Sequence, residues 1–173
     1  SLHAILAKSQ TITIKDNNIN NLSMVGDFSS LYGVYVVSSG NANVSENTIH
    51  ALKGTNVSGG FMAGIIVPGI TNSNVYKNHI YDISELTSGN PTLYGIYCKF
   101  GTNVNVYNNF ISDLRAPVSN TDNTIRGLSV LSTSVNAIFN VYYNSVYLNA
   151  TSTGSNFGTS AFFFIGNAVA TTS

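Results

Sequence analysis

The chain has 173 residues, a formal net charge of zero from seven basic and seven acidic residues, and only 8% charged residues. Such sparse, balanced charge excludes the basic surface that nucleic-acid binding requires, and the 43% hydrophobic content excludes intrinsic disorder. No apolar stretch approaches the ~18 residues of a membrane-spanning helix, so we expect no membrane insertion. Asn, Ser and Thr dominate the polar remainder, which favours an extracellular or cell-surface location. Near-zero net charge also favours self-association.

Two short phrases recur along the chain with a common period. The first is found five times, as ITIKDNNINNL from Ile12, ANVSENTIHAL from Ala42, SNVYKNHIYDI from Ser73, VNVYNNFISDL from Val104 and FNVYYNSVYLN from Phe139. Successive copies begin 30, 31, 31 and 35 residues apart. The second is found between them, as YGVYV from Tyr32, AGIIV from Ala63, YGIYC from Tyr94, RGLSV from Arg126 and SAFFF from Ser160, after a partial copy, HAILA, from His3. Two phrases with one period indicate a repeat architecture.

The residues within each period predict short strands. Apolar and polar residues alternate, as in Asn43, Val44 and Ser45, which is the pattern of a half-buried strand. A propeller blade needs four strands and about 40 residues, and the leucine-rich repeat pattern is absent. The sequence therefore predicts an all-β, right-handed parallel β-helix (a solenoid) of about five coils with a period of about 31 residues. Each coil has three strands, and residues 1–173 form one domain.

Stacked coils place equivalent residues in columns. One asparagine recurs at the same position of every copy and predicts a structural ladder: Asn17, Asn47, Asn78, Asn109 and Asn144. Coils about 4.8 Å apart let each amide hydrogen-bond to its neighbours. Two positions later comes an inward aliphatic column: Ile19, Ile49, Ile80, Ile111 and Val146.

The repeated phrase Gly-Ile-x-Val…Asn-x-Val-x-x-Asn-x-Ile resembles the repeat of right-handed parallel β-helix proteins of the pectate-lyase-like superfamily, from about residue 3 to 169. The resemblance implies the fold but no single function, because that superfamily holds lyases, glycosidases, phage tailspikes, adhesins and bacterial surface proteins. The stretch from Asn144 to Phe162 is similar in style to large exported bacterial surface proteins.

The two ends of the chain carry no cap signature. The sequence opens in mid-coil at HAILA and stops in mid-coil at FFFIGNAVA, whereas natural solenoids protect their open strand edges. We therefore expect a segment of a longer array or a filament subunit. Its partners are then further copies of itself or flanking repeats of the same chain.

Candidate chemistry is confined to one corner. Asp82 and Asp113 share a repeat position in adjacent coils, with Arg115 and Glu85 nearby. Paired carboxylates serve glycoside chemistry or Ca²⁺ binding. Asp82, Asp113 and Arg115 are therefore the candidate catalytic site of an enzyme, and Asp82 and Asp113 are a weak candidate Ca²⁺ site. The alternative is a corner residue that shapes a turn, which Asn21 at the same position favours. His50 and His79 differ in phase and form no evident metal pair, and we expect no metal and no cofactor.

Two further features are a single thiol and a tyrosine stripe. Because Cys98 is the only cysteine of the sequence, an intrachain disulfide is excluded; the residue falls at an inward position, as a buried inert thiol.

Tyr76, Tyr107 and Tyr142 share an outward position on three successive coils. They form either a stacking ladder that stabilises the sheet, an association surface or a glycan-binding surface.

We expect a non-catalytic structural or adhesive module of a secreted or cell-surface protein, such as a stalk, adhesin segment or filament subunit, that assembles end to end. The alternative is a polysaccharide-binding or polysaccharide-degrading β-helix, a lyase or glycosidase. Its site would be Asp82, Asp113 and Arg115, and its sugar platform the tyrosine stripe.

Overall fold

The computed structural model describes residues 1–26, 30–37, 40–55, 59–87, 89–132, 136–166 and 171–172. Over these residues every regular element is a β-strand, and all pairings between strands are parallel. The strands form four sheets, in which neighbouring strands come from successive repeats. Residues 167–170, part of the expected open end, lie outside the described residues.

Two sheets have six strands each. In sheet A the strands are, in spatial order, β1 (Leu2–Lys8), β5 (Ser30–Val37), β9 (Phe61–Pro68), β13 (Thr92–Lys99), β17 (Ile125–Ser132) and β20 (Thr159–Gly166). In sheet B they are β2 (Thr11–Lys15), β6 (Asn41–Ser45), β10 (Asn72–Tyr76), β14 (Asn103–Tyr107), β18 (Ile138–Tyr142) and β21 (Thr171–Thr172).

The other two sheets are built from shorter strands. Sheet C contains β3 (Asn18–Ile19), β7 (Thr48–Ile49), β11 (His79–Ile80), β15 (Phe110–Ser112) and β19 (Ser145–Tyr147). Sheet D contains β4 (Leu22–Val25), β8 (Leu52–Thr55), β12 (Ile83–Glu85) and β16 (Leu114–Arg115). A full coil thus runs through sheets A, B, C and D in turn. The prediction of a parallel β-helix of about five coils is confirmed, but the prediction of three strands per coil is wrong, since sheet D supplies a fourth.

Corner residues in the left-handed backbone conformation separate the short strands. Between sheets B and C the corner column is Asp16, Glu46, Lys77, Asn108 and Tyr143, with φ between 54° and 58°. Between sheets C and D it is Asn21, Ala51, Asp82 and Asp113, with φ between 49° and 57°. This conformation turns the chain sharply and is unfavourable for most side chains. The second corner column creates the fourth strand.

The interior of the solenoid is a stack of aliphatic columns. Val75 pairs with Val44 on one side and Val106 on the other, and Ile80 pairs likewise with Ile49 and Ile111. Side chains of like size therefore pack directly over one another, at the ~4.8 Å spacing of paired strands. The predicted inward columns are confirmed, and Cys98 is fully buried among them.

Candidate functional site

The predicted asparagine ladder forms at the corner between sheets B and C. From the second member onwards, each carboxamide oxygen accepts hydrogen bonds from the backbone N–H and from the side-chain Nδ2 of the asparagine one coil earlier, at 2.9–3.1 Å. The Nδ2 of Asn47, Asn78 and Asn109 also donates to a backbone carbonyl of the preceding coil. These three side chains are almost fully buried, so the ladder satisfies polar groups that burial would otherwise leave unpaired.

Two more amide ladders, which the sequence analysis missed as hydrogen-bonded structures, cover the outer face of sheet B. One joins Asn43, Asn74, Asn105 and Asn140. The other joins Asn41, Asn72 and Asn103. All five bonds connect Nδ2 to Oδ1 at 2.8–3.1 Å. The signal was present, because each set of asparagines recurs with the same period as the buried one.

The tyrosine stripe on sheet B is a stack of parallel rings. Tyr76 and Tyr107 have ring centroids 4.9 Å apart and an interplanar angle of 1°, and Tyr107 and Tyr142 are 5.1 Å apart at 2°. Desolvation and the neighbouring tyrosines raise the pKa of Tyr107. Because each inner ring face is covered by the next ring, the stripe presents ring edges and hydroxyl groups to solvent, whereas sugar stacking uses ring faces.

Arg115 bridges the two aspartates of the candidate catalytic site. Its Nε lies 3.1 Å from Asp113 Oδ1, and its Nη2 contacts Asp82 Oδ1. Both aspartates occupy the left-handed corner column that also contains Asn21 and Ala51. The same guanidinium therefore already pairs with both carboxylates that a Ca²⁺ ion or a general acid would use. Within the described residues there is no group of three or more His, Cys, Asp or Glu side chains that could hold a metal ion.

Glu85 does not belong to this cluster. Its side chain points into the solenoid and is fully buried, in register with Gly54 of the preceding coil. A Cβ atom added at Gly54 would collide with the Glu85 carboxylate. Because glycine has no side chain, Gly54 leaves the space that the Glu85 carboxylate occupies.

A shallow groove of about 530 Å³ runs along the outer face of sheet D. Coils one to four each contribute to its wall, and its polar lining is Asn21, Ser23, Lys53, Asp82, Ser84 and Arg115. The volume is in the range of small-molecule sites. Its charges balance, because the groove combines two cations with the Asp82 carboxylate and the adjacent Asp113.

His50 and His79 contact the same tyrosine, Tyr81, at the ends of two strands of sheet C. The His50 ring stacks on Tyr81 with centroids 4.8 Å apart, and His79 lies 4.5 Å from the same ring. Desolvation, together with the nearby His50, lowers the pKa of His79. Both rings are thereby held in aromatic packing.

The outer face of sheet A carries a second apolar cluster that the sequence analysis did not predict. Its buried members are Ala63, Ile66, Tyr94 and Tyr97, and Tyr32, Tyr35, Phe61 and Leu131 pack against them. The Arg126 guanidinium lies 3.8 Å from the Phe163 ring centroid and 5.5 Å from that of Tyr94, and it donates to Tyr94 Oη at 2.9 Å. Burial raises the pKa of Tyr94, although Arg126 opposes the shift.

Core side chains are exposed at the edge of the last coil. The inward-facing Phe162 and Phe164 of β20 are 51% and 37% exposed, and with Val130, Phe139 and Val146 they line an opening of about 590 Å³. At the first coil, the inward-facing Leu2 of β1 is 40% exposed. A further coil, from the same polypeptide or from another molecule, would cover these side chains.

The described residues define the chain as a parallel β-solenoid with side-chain ladders between its coils. Comparison with protein-family models, with curated proteins and with solved structures found no match for the chain. Among the described residues no helix is long and apolar enough to cross a membrane.

Proposed function

We propose that the chain is a non-catalytic structural or adhesive module of a filament, stalk or adhesin, which assembles end to end by strand pairing between coils. The observation that carries this proposal is that the recurring polar and aromatic side chains contact their equivalents in the next coil. Three asparagine ladders and one tyrosine stack run along the solenoid axis. This arrangement stiffens a rod and leaves few of these groups free for chemistry.

The edges of the solenoid support end-to-end assembly. An uncovered parallel strand offers unpaired N–H and C=O groups to another strand, and at these edges Leu2 and Phe162 add exposed apolar surface. Docking β20 against β1 of a following molecule would continue sheet A with the pairing used between coils. The aromatic side chains of β20 would then be covered by the first coil of that molecule.

We also propose a secreted or cell-surface location, a bacterial origin and kinship with the pectate-lyase-like superfamily. The location is supported by the low charge content and the many Asn, Ser and Thr residues. The kinship is supported by the Gly-Ile-x-Val…Asn-x-Val-x-x-Asn-x-Ile phrase and by the buried amide ladder. The bacterial origin is supported by the style of the repeats between Asn144 and Phe162.

Electron microscopy and fibre diffraction of the purified chain test the assembly. We expect fibres with a repeat of about 4.8 Å along their axis, because the coil stack continues from one molecule to the next. Phe164→Asp places a charge in the coil edge and should abolish the fibres, whereas Lys53→Asp on the outer face of sheet D should leave them unchanged. A chain that stays monomeric at every concentration, or fibres that persist in Phe164→Asp, contradicts the proposal.

A polysaccharide-binding or polysaccharide-degrading protein is the second candidate, and the groove on sheet D favours it. If the cluster were catalytic, Asp113→Ala would abolish the release of reducing ends from an acidic polysaccharide. Asp122→Ala, which removes an exposed carboxylate elsewhere, would retain this activity. Unretarded migration of the wild-type chain through a polysaccharide-containing native gel would exclude binding.

A further inference from the structure

The outer face of sheet B carries a regular, two-column array of uncharged polar side chains. In each of the strands β2, β6, β10, β14 and β18, two outward positions two residues apart align in register with those of the neighbouring coils. All of these positions hold asparagine or threonine except that of Ile138. The residues of this Asn/Thr array are Thr11, Thr13, Asn41, Asn43, Asn72, Asn74, Asn103, Asn105 and Asn140.

The two exposed asparagine ladders hold the array in place. Asn74 donates one Nδ2–H to Asn43, one coil earlier, at 2.8 Å, and accepts one hydrogen bond from Asn105, one coil later, at 2.9 Å. A carboxamide has two N–H donors and two acceptor lone pairs, so Asn74 retains one donor and one acceptor for solvent. Asn72 is bonded in the same way in the other ladder and is exposed. Because these side chains are already ordered, little entropy is lost when they bind a ligand.

The spacing of the array is that of a two-dimensional lattice. Paired strands lie about 4.8 Å apart, and alternate residues of one strand are about 6.7 Å apart. Five rows and two columns therefore cover about 19 Å by 7 Å. The tyrosine stack borders the array on the same face and continues the repeat between coils, with ring centroids 4.9–5.1 Å apart. A ligand that bonds to every row and both columns has to repeat at these distances itself.

The lack of charge narrows the class of ligand. Strands β6, β10, β14 and β18 contain no charged residue, and the charged residue of β2 is Lys15 at its end. An ion or a charged polymer is bound most strongly through charge-assisted hydrogen bonds, which the array does not provide. An uncharged, ordered surface that offers donors and acceptors alike is the better match.

We propose that the Asn/Thr array is an ice-binding surface. On the prism plane of hexagonal ice, oxygen atoms repeat along two perpendicular axes at distances similar to those between the rows and the columns, and each surface water is both donor and acceptor. Every single contact is weak, but once the first has formed, the others form between groups that are already held together. The inference goes beyond the proposed function and does not rest on it, because coil-edge assembly leaves this face exposed.

Partitioning into ice tests the proposal. Ice that grows slowly on a cooled probe excludes ordinary solutes, so a chain that binds ice is found in the ice fraction and any other chain stays in the liquid. We expect the wild-type chain in the ice fraction. Asn72→Tyr places a bulky side chain in the middle of the array, and this clash should reduce the protein in the ice about tenfold or more. Asn149→Tyr makes the same exchange at an exposed asparagine outside sheet B and should leave the partitioning unchanged.

Ile138→Asn completes the array and provides the second readout. Ile138 is 44% exposed and lies in register with Asn103, so the exchange adds a donor and an acceptor at the repeat of the array. It should increase the gap between the melting and the freezing temperature of a single ice crystal, measured in a nanolitre osmometer. Phe164→Asp disrupts the coil edge but leaves the array intact and should still enter the ice, so failure of end-to-end assembly and failure of ice binding are distinguishable.

Circular dichroism checks that each variant is folded. Exclusion of the wild-type chain from the ice, equal losses in folded Asn72→Tyr and Asn149→Tyr, or no increase of the temperature gap in folded Ile138→Asn would overturn the inference. The ladders would then serve only to hold the coils together.

Discussion

The side-chain oxygen of Asn109 accepts two hydrogen bonds from Asn78, one from its backbone N–H and one from its Nδ2, both at 3.0 Å. The same Nδ2 also donates to the Val44 carbonyl at 2.9 Å. Asn78 is only 1% exposed. This one side chain therefore connects three successive coils at a place that water does not reach.

Asn78→Ala should lower the free energy of unfolding by about 3–5 kcal/mol, because several buried donors and acceptors lose their partners at about 1–3 kcal/mol each. Denaturant unfolding followed by circular dichroism measures the loss. Asn20→Ala removes a half-buried asparagine outside the ladders, whose hydrogen bonds with Asn18 and Asn21 are exposed to solvent. It is the control and should change stability by less than about 0.5 kcal/mol. Equal losses in the two variants would show that the ladder contributes no special stability.

The glycine column of sheet A is fixed by close contacts on its inner side. A Cβ atom added at Gly64 would lie 2.7 Å from Ile80 Cγ2 and 2.8 Å from the Gly95 carbonyl oxygen. Since one of these atoms is backbone of the next coil, the clash cannot be relieved by a rotamer change. Gly64→Ala should therefore cost about 1–3 kcal/mol or more through overpacking.

The control for this variant is Gly69→Asn. Gly69 has φ of 66°, and a Cβ atom there would meet nothing within 4 Å. Asn tolerates this backbone conformation, so the variant should unfold within about 0.5 kcal/mol of the wild type. If Gly64→Ala were as stable as Gly69→Asn, the inner face of sheet A would be less tightly packed than these distances require.

The period of the sequence was sufficient to predict the stacked columns. Asn78, Asn109 and their equivalents fall at the same phase of a repeat whose strands pair in register, so stacking coils brings them into contact. The fourth strand of each coil was missed because it has at most four residues. The corner that precedes it includes Ala51, and alanine is not a residue type that indicates a turn. Arg115 was recognised near both aspartates, but its bridging position depends on side-chain conformation.

The apolar outer face of sheet A was missed for a different reason. Tyr94 and Tyr97 both point outward although they are three residues apart, because the strict alternation is interrupted at Gly95, which stands level with Gly64 and Gly127 of the neighbouring strands. Strict alternation would assign one of the two tyrosines to the interior. A local irregularity of this kind, like a β-bulge, re-aims the side chains that follow it.

Tyr143 is a bulky residue at a corner that favours asparagine. Its φ is 55° and its side chain is 82% exposed, whereas Asn108 occupies the equivalent corner one coil earlier. Non-glycine residues other than Asn and Asp pay about 1–2 kcal/mol for the left-handed conformation. Tyr143→Asn should therefore raise the free energy of unfolding by about 0.5–1 kcal/mol, measured by thermal denaturation. The reciprocal change, Asn108→Tyr, should lower it by a similar amount, and a stabilising effect of Asn108→Tyr would refute the explanation.

Cys98 should be unreactive in the folded chain. Burial raises the pKa of its thiol to about 12, and the thiolate is the reactive form. We expect no reaction with a thiol-specific reagent between about pH 7 and 9 in buffer, and complete reaction in denaturant. Rapid labelling of the native chain at neutral pH would contradict this placement.

The same shift in the pKa of Cys98 predicts how stability depends on pH. The folded chain keeps the thiol protonated up to a pKa of about 12, whereas the unfolded chain releases this proton near pH 8.5. The contribution of the thiol is thus fully present below about pH 8.5 and is lost as the pH rises towards 12. Cys98→Val, which copies its neighbours Val67 and Val130 in register, should fold and lose less stability over this range. Identical pH profiles of the two proteins would mean that the thiol is ionisable in the folded state.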